Sequence, residues 1–255
     1  MGLVDLNVEL AGLPKTGKLY LEDSYLKCCE SRVLKVIRDR GSRAYVVLDR
    51  SVFHPRGGGQ PSDVGVIRCG SLVFMVRKVL NVNGVLAHYG KFVDGQFAEN
   101  CLVQCEVDWG FRFKVMKLHT TGHILDYALR VVYGEVVDTL AAFHGPPKAY
   151  TIYAARVPSN NEVKLIEKIA NEIVSENRPV KIIFVNRDEL LRITFNAPNL
   201  GRLPKSDLYR VVVIEGVNGI PCTGTHIRMT GEIERIKIVD VEEVEGGFKL
   251  YYDVS

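Results

Sequence analysis

The chain has 255 residues, 47% of them hydrophobic and 25% charged, the balance of a soluble globular protein with room for one large domain or two ordinary ones. No apolar run approaches the roughly 20 residues of a membrane span. The first ten residues carry Asp5 and Glu9 without a basic start, which sets aside a secretion signal and points to the cytoplasm. A net charge of +3 permits a polyanionic partner without demanding one, and six cysteines in so long a chain do not read as a disulfide framework.

From residue 18 to 108 the pattern is mainly strands. Ser31–Arg38 alternates polar and apolar, Gly41-Ser42 turns, and Arg43–Leu48 follows. Val64–Arg68 and Leu72–Val79 are separated by Cys69-Gly70-Ser71, Asn83-Gly84 is a hairpin turn before Val85–His88, and Cys101–Val107 ends the set. Short strands punctuated by Gly and Asn predict a small antiparallel barrel. Within this region, Gly57-Gly58-Gly59 lies between prolines and close to strands on both sides. It reads as backbone that passes something bulky, as bare N–H groups offered to an anion, or as a wide turn. No Gly-Lys-Ser/Thr follows, so it is not a Walker loop.

The character changes near Asp108, a plausible N-cap. Helical spacing runs from Trp109 to about Val132, with Gly134 as its stop. Pro146-Pro147 makes a loop and Tyr150–Ala154 a strand. Ser159 and Glu162 form a capping box at the head of a helix whose stripe is Val163, Ile166, Ile169, Ala170 and Ile173. Val180–Val185 is a strand, Arg187–Arg192 a short helix, Val211–Ile214 a strand, and Ile233–Val241 with Phe248–Tyr252 closes the chain. The predicted class is α+β: a small N-terminal antiparallel β-barrel over 1–108 and a two-layer α/β domain over 109–255.

Two short stretches carry metal-type side chains. His119 and His123 stand four apart on the predicted helix, which places both imidazoles on one face. Cys222 and His226 share that spacing in a segment that cannot be extended, because four strand residues span roughly 13 Å and two ligands of one zinc each lie about 2.0–2.3 Å from it. Gly224, with Pro221 before it, suits the required turn. Three imidazoles and one thiolate match zinc in ligand softness. Cys101 and Cys105 share a strand face without a matching pair and read as small buried hydrophobes. His88 and His144 read as turn residues.

Asp108-Trp-Gly-Phe-Arg-Phe-Lys-Val-Met-Lys-Leu-His119-Thr-Thr-Gly-His123 resembles the entry to the editing domain of alanyl-tRNA synthetases and of their free-standing relatives, the AlaX proteins. Pro221-Cys222-Thr-Gly-Thr-His226 with Thr230-Gly231-Glu232-Ile233 is similar to the family's second motif. Phe53 to Asp63 is similar to its glycine-rich Gly-Gly-Gly-Gln-Pro-Ser-Asp motif. The layout resembles the medium-length free-standing form with an extra N-terminal barrel. The resemblance implies zinc held by His119, His123, Cys222 and His226. It places Gln60 and Gly57, Gly58 and Gly59 at the border of a pocket, and implies deacylation of mischarged tRNA(Ala), carrying mainly serine and sometimes glycine. The sequence departs from the family at Gly122, where Thr is frequent, at His54-Pro55-Arg56, at Asn218, where an acidic residue is common, and across Thr139–Ala155.

Four protein ligands fill a tetrahedral zinc site, the mark of a structural metal, and no Glu lies between His119 and His123 to act as a built-in base. Zinc in such a site is structural, catalytic or substrate-positioning. Serine exceeds alanine by one hydroxyl, so a size filter cannot reject alanine and the pocket must hydrogen-bond that group. Gln60, Thr120, Thr121 and Thr225 are the candidates by position, each also a residue type that back-bonds in helices and turns. Arg56, Lys117 and Arg228, together with Arg112, Lys114, Arg202, Lys205 and Arg210, are candidate contacts to the phosphates of the tRNA acceptor end. An editor of Ser-tRNA(Thr) and a non-catalytic zinc-containing RNA-binding module are the alternatives.

Overall fold

The computed structural model describes residues 4–255. Two units divide the chain. The first comprises the described residues through Gly57 together with Pro61–Phe113, and the second comprises Gly58–Gln60 with Lys114–Ser255.

The first unit is built on six strands: β1 (Cys28–Arg38), β2 (Arg43–Leu48), β3 (Gly65–Cys69), β4 (Leu72–Val82), β5 (Val85–Asp94) and β6 (Leu102–Val107). All neighbours pair antiparallel, and the order β1-β2-β5-β4-β3-β6 closes on itself. Closure removes the free edges an open sheet would expose. The expected α+β class with an antiparallel barrel is therefore present. Alternation along the strands aims Val33, Val46, Leu48, Ile67, Phe74, Val76, Val103 and Cys105 into one core, where Phe74, Phe92 and Phe97 meet as tilted and edge-on pairs.

His88 is not a turn residue. Strand β5 runs on to Asp94, and the His88 ring is fully buried, with Nδ1 on the Val46 carbonyl and Nε2 on the Ser51 hydroxyl. A carbonyl only accepts, so Nδ1 carries the proton and the ring is neutral. Burial pushes its pKa down to about 4.

Asp63 and Arg112 form a buried ion pair in this unit. Arg112 Nε donates to Asp63 Oδ1 at 2.8 Å and Nη2 to Oδ2. Nη1 also donates to the Ser24 carbonyl at 3.0 Å and Nη2 to the Val52 carbonyl at 2.6 Å. The His54 N–H also donates to Asp63. Arg112 is therefore committed to the interior and is no phosphate contact.

The second unit holds two sheets and three helices. Helix α1 (Trp109–Tyr133) starts on Asp108, whose Oδ1 accepts from Phe111 N at 3.0 Å, and stops at Gly134, with φ +80°. Its residues from Lys114 onward belong to this unit. Strands β7 (Thr139–Phe143) and β8 (Ala149–Tyr153) follow, then α2 (Asn160–Ser175), which opens on the expected Ser159–Glu162 capping box. Next come β9 (Val180–Val185), α3 (Arg187–Ile193), β10 (Tyr209–Ile214), β11 (Asn218–Pro221), β12 (Ile236–Val244) and β13 (Gly247–Val254). One sheet has the order β12-β13-β8-β7, the other β9-β10-β11. Asn171 on α2 clamps Ile236 through both its N–H and its carbonyl, and Glu167 accepts from Ile238 N at 2.7 Å.

Two predictions follow from the barrel. Replacing Arg112 with Leu strands a buried carboxylate and should cost about 3–5 kcal/mol, read as a lower urea midpoint at unchanged slope; a loss under about 1 kcal/mol would contradict the buried pair. For His88 the folded pKa lies below the unfolded one, so its contribution is complete above about pH 6.5 and is lost as pH falls toward about 4. The wild-type protein should lose about 3 kcal/mol more than His88→Gln across that window. Parallel stability curves for the two proteins would show that the ring titrates freely.

Candidate metal centre and cleft

All residues of the centre belong to the second unit. Helix α1 carries His119, Thr120, Gly122, His123 and Asp126 within two turns. After β11 the chain leaves extended geometry at Pro221, and the segment coils through Cys222 to His226. One donor atom from each of His119, His123, Cys222 and His226 lies within 4.8 Å of all the others. Cys222 Sγ is 3.5 Å from His119 Nε2 and 3.4 Å from His226 Nε2. The convergence expected from spacing is present, and these four residues could bind a metal ion.

The rings are held from behind. His119 Nδ1 lies 2.9 Å from Gln60 Oε1, and His226 Nδ1 lies 3.0 Å from Thr120 Oγ1. Fixing one ring nitrogen leaves the other to face the cluster, as supporting hydrogen bonds do in metal sites. The same Gln60 Oε1 accepts from Thr225 N at 2.9 Å, while Gln60 Nε2 donates to Thr225 Oγ1 at 2.9 Å. Asn218 Nδ2 donates to the His123 carbonyl at 2.6 Å, which a carboxylate at that position could not do.

The donor set fits a divalent cation. Burial pushes His123 down to about 3, with Arg210 and His144 adding to the shift, and its Nδ1 is buried without a hydrogen-bond partner. Burial pushes the Cys222 thiol up, opposed by the Gly224 N–H on Sγ and by Arg210. A neutral imidazole with an orphaned nitrogen, packed among further donors, is a condition a cation relieves.

Gly224 lies in the turn expected between Cys222 and His226, but not for the backbone freedom of glycine. Its backbone is not left-handed. A Cβ there would stand 2.1 Å from His119 Cε1 and 2.8 Å from Gln60 Oε1, so the absent side chain makes room for the imidazole.

The centre sits in the wall of a cleft of about 820 Å³, a size suited to a small-molecule ligand. Its lining includes Gly58, Gly59, Asp126, His144, Arg202 and Arg210 besides His119, His123 and Cys222. Asp126 accepts from the Tyr153 phenol at 2.9 Å, yet burial pushes it up to about 7. His144 is not a turn residue of no consequence: its ring stacks on His119, with centroids 4.5 Å apart and planes 14° apart, and burial pushes it down to about 4.

The other expected site residues distribute as follows. Gln60, Thr120, Thr121 and Thr225 are all buried, and their polar atoms are spent inside the protein, Thr121 on the Lys117 carbonyl at 2.8 Å. Lys117 is buried too, with its ammonium on Glu234 at 2.8 Å and on the Ser255 carbonyl at 2.9 Å, so it is a structural cation rather than an open phosphate contact. Arg228 is exposed, as are Arg56 and Gly57, which belong to the first unit. Sequence reasoning did not single out Asp126 or Tyr252, read His144 only as a turn residue, and noted Asn218 only as a departure from the family. The departures at Gly122 and Asn218 were the available signals.

Among the described residues no helix is long and apolar enough to cross a membrane. Residues 22–111 match the family model for class II (A) tRNA synthetases, and residues 209–249 match the model for the threonyl and alanyl tRNA synthetase second additional domain. The chain is 33% identical over 237 residues to the alanine–tRNA ligase of Ignicoccus hospitalis, covering 92% of this chain and 25% of that protein. It is 37% identical over 247 residues to that of Pyrobaculum neutrophilum, covering 94% and 27%, and 33% identical over 246 residues to that of Saccharolobus islandicus, covering 95% and 27%. It thus spans about a quarter of the length of these relatives.

The purified protein should hold one divalent cation per chain, measured by elemental analysis after dialysis. Cys222→Ser should abolish stoichiometric binding, and Gln60→Ala, which frees His119 Nδ1, should weaken it about 10- to 100-fold. Unchanged affinity in both variants would count against the centre. Its paired-donor motifs, the two family models and the identity shared along nearly its whole length place the chain in the alanyl-tRNA synthetase editing-domain family.

Proposed function

We propose that this chain hydrolyses the ester joining a wrong amino acid to the 3′ end of tRNA(Ala), chiefly serine and secondarily glycine, at a zinc site made by His119, His123, Cys222 and His226. The observation that carries this reading is the convergence of those four donors in the wall of a cleft, in a chain whose near-complete matches are alanine–tRNA ligases. Three imidazoles and a thiolate favour zinc over harder cations. Zinc, when bound, would supply positive charge that polarises an ester carbonyl.

The chain's own residues do the rest. Gln60 and Thr120 fix the orientations of His119 and His226. Gly58 and Gly59 let the loop form a low wall of the cleft. Arg202 and Arg210 place two guanidinium groups in its lining, suited to the negative charge of a terminal nucleotide. Arg56 in the first unit and Arg228 in the second are exposed and are each a candidate for a phosphate contact. Gln60 and Thr225 serve catalysis by holding the site in register.

An editor of Ser-tRNA(Thr) is the second reading, favoured by the shared threonyl and alanyl domain model over residues 209–249. The extended identity with alanine–tRNA ligases supports tRNA(Ala) instead. A purely RNA-binding zinc module leaves the cleft without a use.

Incubation with Ser-tRNA(Ala), Gly-tRNA(Ala), Ala-tRNA(Ala) and Ser-tRNA(Thr), with and without a zinc chelator, tests the reading. The expected result is chelator-sensitive loss of Ser-tRNA(Ala), faster than loss of Ala-tRNA(Ala) by about 10⁴-fold, the discrimination available to a site that reads a hydroxyl. Faster clearance of Ser-tRNA(Thr) favours the second reading. No deacylation of any substrate overturns both.

A further inference from the structure

The proposed function requires a group that reads the serine hydroxyl, and the four side chains singled out by sequence position have their polar atoms engaged within the protein. His144 is placed differently. Its backbone N–H donates to the Gly59 carbonyl at 2.8 Å. Its Nδ1 lies 2.5 Å from the Tyr252 hydroxyl, which in turn donates to the Leu118 carbonyl at 3.3 Å. The phenol has one proton. With that proton on Leu118 O, the His144–Tyr252 bond takes its proton from Nδ1, and the lone pair of the ring lies on Nε2. Nε2 has no hydrogen-bond partner among the described residues, and it is not among their sealed, unpartnered polar atoms. His144 lines the cleft, and its ring is stacked on the metal-centre residue His119.

Space for this ring is built in from two sides. A Cβ on Gly122 would stand 2.6 Å from His144 Cε1 and 3.4 Å from the Tyr252 hydroxyl. One on Gly59 would stand 3.0 Å from His144 Cδ2 and 3.1 Å from the Ala142 carbonyl oxygen, at a φ of +76°. A side chain on helix α1 at position 122 and the imidazole of His144 exclude each other. The chain has kept the imidazole.

Resting on the deacylation reading, we propose that His144 is the specificity-determining residue of this cleft, with Nε2 accepting a hydrogen bond from the side-chain hydroxyl of the esterified amino acid. Alanine offers no donor there and leaves Nε2 unpaired as the cleft fills.

The test uses the zinc-loaded full chain and the variants His144→Phe, which keeps a flat ring against His119 but has no acceptor, and His144→Gln, which restores one. The Ser-tRNA(Ala) to Ala-tRNA(Ala) ratio of kcat/KM should fall about 30-fold in His144→Phe, the loss expected for one unmade hydrogen bond. It should recover at least in part in His144→Gln, with zinc content constant throughout. Equal loss on both substrates, or no loss, overturns the assignment while leaving the deacylase reading standing. A wild-type protein that clears no aminoacyl-tRNA overturns that reading and this one with it. A second readout needs no turnover: long-range proton–nitrogen NMR of the ¹⁵N-histidine protein, assigned against His144→Phe, should show the Nδ1–H tautomer. An Nε2–H tautomer refutes the proposal even in an active enzyme.

Discussion

One amide fastens the centre together. Gln60 Oε1 lies within hydrogen-bond distance of both His119 Nδ1 and Thr225 N, and Gln60 Nε2 donates to Thr225 Oγ1. A single side chain thus joins the glycine-rich loop, helix α1 and the Cys222–His226 turn, three segments far apart in the chain. It is buried, and its amide presents an acceptor and a donor a fixed distance apart, so it holds an imidazole and a turn simultaneously. The His119 orientation, and with it the geometry of the four donors, depends on this constraint. The segment Gly58–Gln60 accordingly packs with the second unit although its neighbours in sequence belong to the first.

Much of this was legible in the sequence. Alternation located Ser31–Arg38, and turn punctuation by Gly41-Ser42, Cys69-Gly70-Ser71 and Asn83-Gly84 located the strands that follow, since tight turns favour those residues. The caps at Asp108 and Ser159 located two helices, because unpaired N–H groups at a helix start need a side-chain acceptor. The paired spacing of His119 with His123 and of Cys222 with His226 located the donors. Strand β7 was missed because Thr-Leu-Ala-Ala-Phe is short, does not alternate and gains its order only by pairing with β8. The course of β5 beyond His88, and the neutral role of that ring, depend on Val46 and Ser51 across the barrel.

Polar residues were harder to read than apolar ones. Arg112 and Lys117 precede the first histidine as a basic approach to a site, yet both are buried with acidic partners. Thr120 and Thr121 look equivalent in sequence, but one hydroxyl meets an imidazole in the metal cluster and the other back-bonds to its own helix. Gly224 lies in the expected turn, and its missing side chain also makes room for His119. His144 looked incidental because what positions its ring, the Gly59 carbonyl, the Tyr252 phenol and the missing side chain of Gly122, is distributed over distant parts of the chain. In each case a local pattern gave the residue type, and a long-range contact gave the role.

The central claim is that three imidazoles and one thiolate from two remote motifs hold one zinc ion beside the cleft. X-ray absorption at the zinc edge of the purified protein tests it most directly. The account predicts about three nitrogen scatterers at about 2.0–2.1 Å and one sulfur at about 2.3 Å, with the sulfur shell absent in Cys222→Ser. A first shell of oxygen alone, or a sulfur signal that survives that substitution, would contradict it.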